Sequence, residues 1–204
     1  MQETEGVIKF SCFHTFLEDE LPASLLHLLP IWHQMKANHW IGVDEHNIGY
    51  GNASICDIQE DSTFWISGTQ CTLITEMTAK YFCHINRFSL ETNSVWSEGF
   101  LKPSSETMSH AAIYAANPQV RCVLHIHDSG LWNAFVNKLP TTPLEFAYGT
   151  VAISKSVSSL VESDFLLPHG VVIMGGHPDG LLAFGNSPEE AFQQIELLKT
   201  KFKA

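Results

Sequence analysis

The stretch VLHIHDSG, residues 123–130, places two histidines one residue apart at the end of an apolar run. On a strand, side chains alternate between faces, so His125 and His127 share one face while Leu124 and Ile126 share the other. Imidazoles so placed can hold a metal ion, or they can make ordinary hydrogen bonds on the wet face of a half-buried strand; the pair alone is compatible with both. Two further residues bear on the choice. His177 follows Gly175 and Gly176, where the backbone can approach closely, and Glu106 falls in the first turn of an expected helix, whose N-terminus favours an anion. Three histidines and a glutamate suit Zn²⁺ by softness and geometry, with another divalent metal as the alternative. A glutamate that can leave the metal opens a position for substrate oxygens, and it can also exchange protons with a bound substrate.

The elements that must position these residues can be read from periodicity. In LPASLLHLLPIWHQMKANHW, Leu25, Leu28, Leu29 and Trp32 recur at helical spacing, and Pro30 either starts a second helical piece or kinks the first. From Gly49 to Gly68, two β-branched and aromatic runs around the polar turn EDS predict a hairpin, and residues 81–90 with 94–96 predict a second strand pair around ETN. PSSETMSHAAIYAANP carries a serine N-cap candidate and good helix formers, and Pro118 prevents continuation. The strand with the two histidines follows directly. GVVIM and LLAFG flank GGHPDG, a hairpin connection with His177 at its mouth. In the last helix Ser187 is the N-cap, Pro188 the first helical position and Glu190 the capping-box residue, with Ala191, Ile195 and Leu198 on one face. The expectation is an α/β architecture, a central, mostly antiparallel sheet covered by helices, in a single domain over residues 1–204 with residues 1–20 as an N-terminal extension.

Composition narrows the function classes. A chain of 204 residues that is 45% hydrophobic can build a real core. With 22 acidic against 11 basic residues, a formal charge of −11 and no basic cluster, it is poorly suited to nucleic acid. No apolar run approaches the roughly 20 residues of a membrane span, and MQETEGVIKF lacks the basic start and apolar centre of a signal peptide, so a cytoplasmic location is expected. The five cysteines are odd in number and widely spaced without a CxxC, which argues against a disulfide framework or a thiolate zinc knot and for small core residues.

Several motifs in order make the chain resemble the class II aldolase/adducin superfamily, which includes fuculose-1-phosphate aldolase and ribulose-5-phosphate 4-epimerase. They are GNAS at 51–54, ISGT at 66–69, KPSSETMSH at 102–110, the HIH strand, YGT at 148–150 and the GGH segment leading to FGNSPEEA, and the match runs from about Leu25 to the end. The resemblance implies a divalent metal, usually zinc, held by Glu106, His125, His127 and His177. It implies that Glu106 is the acid/base in aldol-type cleavage or formation of a C–C bond, while the metal stabilises an enediolate. It further implies that Asn52, Ser67, Thr69, Ser104 and Ser105 hold the phosphate or carboxylate of a small, sugar-like anionic substrate, helped by N–H donors of the helix N-terminus. A homotetramer with its site near a subunit boundary is expected on the same ground.

Departures from the pattern carry information. His169 has the literal HG sequence but precedes the apolar run, whereas the family's ligand follows it as His177 does, with Pro178 and Asp179 read as an insertion before Gly180. Gln70 replaces the glycine usual in sugar-phosphate aldolases, which puts a side chain beside the anion pocket. The chain ends without the tail that carries a catalytic tyrosine in some aldolases, so the proton donor is open between Tyr114, Tyr148 and neither. His110 is read as a supporting or packing residue, Asp128 as a turn or supporting acid, and Arg87, Arg121 and Lys155 as solvated by default. Epimerisation through the same chemistry is one alternative; a non-catalytic, adducin-like binding or assembly domain is the other. A cupin and an amidohydrolase barrel are excluded, the first by DSGLWNAF after the pair and the second by length.

Overall fold

In a computed structural model, residues 6–17, 22–56, 63–163 and 170–203 are described; His169 and the turn residues EDS at 60–62 lie outside them. Alternating apolar runs become strands. Ser11–Phe16 (β1) is followed by a two-residue pair, Gly42–Val43 (β2) with Gly49–Tyr50 (β3). Then come Asn52–Cys56 (β4), Phe64–Ser67 (β5), Phe82–Ser89 (β6), Ser94–Gly99 (β7), Cys122–His127 (β8), Val171–Ile173 (β9) and Gly180–Gly185 (β10). Eight of these form one mixed sheet in the order β1-β7-β6-β5-β4-β8-β10-β9. Only β1 and β7 pair in parallel; the other neighbours in the sheet are antiparallel, as expected.

Among the described residues, five α-helices cover the sheet: Ser24–Ala37 (α1), Thr107–Ala116 (α2), Ser129–Phe135 (α3), Val151–Ser163 (α4) and Pro188–Lys203 (α5). The period of two in β8 divides the core into two layers. Leu124 and Ile126 join Leu28 and Trp32 of α1 and Ile195 and Leu198 of α5. Val123 joins Met108 and Ala111 of α2 and Ile153 and Val157 of α4 on the opposite face. The architecture is therefore a layered α/β/α one, and the face carrying His125 is covered by helices. The wet-face alternative for the histidine pair does not hold, because His125 is 1% exposed.

Several elements differ from the sequence expectation. Of the two readings of Pro30, the second helical piece does not form: Pro30 lies inside the single helix α1. The run from Gly49 is divided at Gly51, whose φ of +75° breaks the strand between β3 and β4. Ser11–Phe16, expected in an extension, is the edge strand β1. Helices α3 and α4 were not expected; Asp128 caps α3 by accepting the Leu131 N–H at 2.9 Å, and Ile153, Val157 and Val161 give α4 its buried stripe. At α5 the capping residues behave as read: Ser187 Oγ accepts the Glu190 N–H at 3.2 Å, and Glu190 reaches back to the Asn186 N–H at 2.9 Å.

Leu124 is fully buried between β8 and its helices. Leu124→Ala should lower the unfolding free energy by about 2–5 kcal/mol in urea denaturation. A loss below about 1 kcal/mol would mean that this layer is not close-packed.

Candidate active site

The register of three adjacent strands places the chemistry. Asn52 of β4 and Leu182 of β10 both stand opposite His125, and Gly180 stands opposite His127. His177 enters from the turn between β9 and β10, where its N–H bonds to Met174 O at 3.1 Å and its carbonyl accepts the Gly180 N–H at 2.9 Å. Gly175 and Gly176 make this turn possible by close approach: a Cβ would stand 2.0 Å from Thr142 O at the first and 2.1 Å from Phe146 O at the second. Gly180 leaves room for the rings, since its Cβ would meet His177 Cδ2 at 2.6 Å and His125 Cε1 at 3.2 Å.

One ligand atom from each of His125, His127 and His177 falls within 4.8 Å of the others. His125 Nδ1 is 3.1 Å from Leu181 O; a carbonyl can only accept, so Nδ1 carries the hydrogen and Nε2 keeps its lone pair. That Nε2 stands 3.2 Å from His127 Nε2. Ligand nitrogens on a tetrahedral zinc are about 3.3 Å apart, so the spacing of this pair fits such an ion. Electrostatics agree with it. Burial first, and then the neighbouring histidines, hold the His125 imidazole well below the usual range; burial, His127 and Lys9 do the same for His177. Neutral imidazoles are the form that binds metal.

Beside the triad is a small recess, with room of about 20 Å³ for water centres, lined by Asn52, Thr69, Gln70, Ser104, Ser105, Glu106 and His125. Glu106 thus shares a wall with His125, although its carboxylate is outside the three-histidine group. It is the N-cap of α2 and not a first-turn residue, and Ser109 Oγ donates to its Oε2 at 3.2 Å. The expected helix donors turn elsewhere: the Glu106 N–H goes to Ser104 Oγ, the Thr107 N–H to Ser104 O and the Ser109 N–H to Glu106 O. Ser67 is fully buried, and its Oγ accepts the Ala53 N–H at 3.2 Å, inside the sheet. Asn52 Oδ1 and His110 Nε2 are buried without a partner among the described residues, as polar atoms awaiting a ligand or water would be.

Gln70 has φ +58°, the left-handed region that favours glycine, and its Oε1 accepts the Gly49 N–H at 2.8 Å. Cys71 on the same wall is no nucleophile near neutral pH, because burial pushes its thiol up to about 12. All five cysteines lie among the described residues, and none is in a disulfide. His110 and Tyr114 form a buried network through Ser54, whose Oγ is 2.7 Å from His110 Nδ1 and 2.6 Å from Tyr114 Oη. Tyr114 is therefore a core residue. The Tyr148 ring packs 5.1 Å from His177. Arg87 and Lys155 are exposed, Arg87 lying over Trp96.

Two neighbours of the triad escaped the sequence reading. Tyr50 packs with its ring centre 5.2 Å from that of His127, in an open groove that also includes Asp128 and Asp179. Its position two residues before Asn52 was an available signal. Lys9 reaches the Tyr148 ring from a segment that carries no motif.

The sequence pattern of the family described as Class II Aldolase and Adducin N-terminal domain matches residues 35–204. The chain belongs to this family. It is 34% identical over 133 residues to methylthioribulose-1-phosphate dehydratase of Leptospira interrogans, covering 57% of this chain and 53% of that protein. It is 32% identical over 100 residues to alpha-adducin of Rattus norvegicus, covering 44% of this chain and 13% of that one. The chain thus matches about half the length of the dehydratase and a small part of the adducin. Among solved structures, an L-fuculose 1-phosphate aldolase superposes with a TM-score of 0.64 at 17% identity, over 89% of this chain and 83% of that one. The α/β/α layering described above is accordingly the class II aldolase fold. No helix among the described residues is long and apolar enough to cross a membrane.

In this class II aldolase fold, buried neutral histidines make stability depend on pH. Burial pushes the His110 imidazole down to about 3, against about 6.5 in an unfolded chain. Below pH 6.5 the unfolded state therefore takes up a proton that the folded state refuses, and stability is lost as pH falls from about 6.5 toward 3. The slope approaches about 1.4 kcal/mol per pH unit for each such histidine. Denaturation of metal-free protein should give a lower midpoint at pH 5.5 than at pH 7.5; an unchanged midpoint would show that His110 is not held neutral.

Proposed function

We propose that this chain is a divalent-metal-dependent lyase, with zinc the favoured ion, acting on a small, anionic, hydroxy-carbonyl sugar. The convergence of His125, His127 and His177 beside a recess that contains Glu106 carries this reading. The three imidazoles would hold the ion, and Glu106 would ligate it from the recess wall or leave it for substrate. When bound, such an ion supplies Lewis-acid polarisation of a carbonyl or hydroxyl oxygen. The chain's own residues do the rest. Asn52, Thr69, Ser104 and Ser105 offer an amide and hydroxyls to the anionic end, while Ser109 orients the Glu106 carboxylate. Glu106 would then take a proton from the β-hydroxyl or from the carbon next to the carbonyl and return one to substrate. Ser67, by its bond to Ala53, supports this pocket from within the sheet.

Removal of the proton of a β-hydroxyl serves C–C cleavage of aldol type, and removal of the proton on the carbon next to the carbonyl serves loss of a β-hydroxyl, which leaves as water on taking up a proton. The similarity to a methylthioribulose-1-phosphate dehydratase supports the second, which stands beside the aldolase reading and the related epimerisation. A non-catalytic, adducin-like role has support in the similarity to alpha-adducin. The histidine triad favours the enzyme. A homotetramer in the cytoplasm, with the site near a subunit boundary, completes the proposal; a monomer in light scattering would remove the boundary from it.

Metal analysis of purified protein should find about one divalent ion per chain, lost in His125→Ala and His177→Ala. Glu106→Gln should fold normally and lose about 10²–10⁴ in turnover of whichever phosphorylated sugar is active in a screen that includes methylthioribulose 1-phosphate and fuculose 1-phosphate. Wild-type protein without a tightly bound divalent metal would sink the reading.

A further inference from the structure

The segment leading into β1 belongs to no motif, yet it runs along the wall of the candidate site. Gly6 lines the recess, and a Cβ there would stand 2.2 Å from Gln70 Nε2, so bare backbone lies against that amide. Gln70 Oε1 bonds the Gly49 N–H, which ties the amide to the turn before β4. Three residues on, the stem of Lys9 passes Gly149. A Cβ at Gly149 would be 3.5 Å from Cβ and Cδ of Lys9 and equally 3.5 Å from the Ser105 carbonyl, so the stem and that carbonyl both flank Gly149. Lys9 Nζ donates to Tyr148 O at 3.2 Å and lies 3.9 Å from the centre of the Tyr148 ring, which packs on His177. The ammonium thus lies over the Tyr148 ring, on the way from Gly149 to His177.

Charge balance gives this position its meaning. The chain has a formal charge of −11, and among the described residues lining the recess there is no lysine or arginine. An anion bound there is met within the wall by hydroxyls and an amide, so any positive charge beyond that of the proposed metal ion comes from outside the wall. An ammonium on a four-carbon stem can swing to a nearby oxyanion and donate up to three hydrogen bonds. We infer that Lys9 is a substrate-binding residue whose ammonium takes an anionic oxygen group, phosphate or carboxylate, of the ligand seated between Ser105 and His177. This deepens the proposed function and rests on it for the identity of the recess as the substrate site. Residues ahead of the catalytic fold would then help set which anions the site accepts.

The test compares wild-type protein, Lys9→Met and Lys9→Arg by titration calorimetry with 2-phosphoglycolate, inorganic phosphate and glycolate, and measures zinc affinity for each protein. Lys9→Met should bind 2-phosphoglycolate about tenfold more weakly, Lys9→Arg should restore most of the loss, and zinc affinity should not change. The same loss with phosphate alone assigns Lys9 to phosphate; the same loss with glycolate alone assigns it to carboxylate. Equal binding by wild-type protein and Lys9→Met, or binding of none of the three anions by wild type, overturns the inference. So does a parallel loss of zinc in Lys9→Met, which would make Lys9 a positioning residue for Tyr148 and His177. Wild-type protein that holds no zinc overturns the metal reading alone, and the anion comparison on that metal-free protein still decides the role of Lys9.

Discussion

The pairing of β8 with β4 on one side and β10 on the other is the constraint on which the candidate site depends. It sets Asn52, His125 and Leu182 side by side and brings Gly180 opposite His127. Side chains alternate along a strand, so a slip of one residue would send His125 into the apolar layer under α1 and α5 and bring Leu124 to the site. Leu124 and Ile126 oppose that slip because their burial holds the register. The same pairing delivers the Leu181 carbonyl to His125 Nδ1, which settles the direction in which the imidazole lone pair points.

The second support is α2, lying over the histidine face. Its N-cap Glu106 reaches the recess wall, and one turn later His110 bonds Ser54 of β4. Tyr114 closes that network from the next turn. This deep polar cluster ties the helix to the strand that also carries Asn52, and leaves one polar atom, His110 Nε2, without a partner among the described residues. Low local dielectric keeps His110, His125 and His177 neutral. The protein thus holds its candidate ligands ready by excluding water, which is also why acid should loosen the fold.

Legibility in the sequence followed the range of the interaction concerned. Local features were readable: the alternation in VLHIHDSG, the capping residues of SPEE, and the paired glycines before His177 each act within a few residues. Features set by distant partners were not. The strand β1 forms because it can pair in parallel with β7, about 80 residues away. The stripe of α4 is periodic but serine-rich, and it acquires meaning only against α2. Ser67 reads as an anion ligand, and its Oγ also accepts the Ala53 N–H, a bond that no local pattern announces. The first N–H groups of α2 looked available, yet Ser104 takes two of them.

By itself, the sequence determined the candidate ligands, the periods that make strands and helices, and the family motifs in their order, because residue type and spacing act locally. Only the tertiary structure decided that three histidines meet, that Glu106 stands on the adjoining wall outside their group, and that Gln70 adopts a left-handed backbone beside the recess. It alone brought Lys9 to Tyr148, 139 residues away in the chain. Contacts at that range depend on how the layers pack and in which register the strands pair, and no short pattern of residues encodes either.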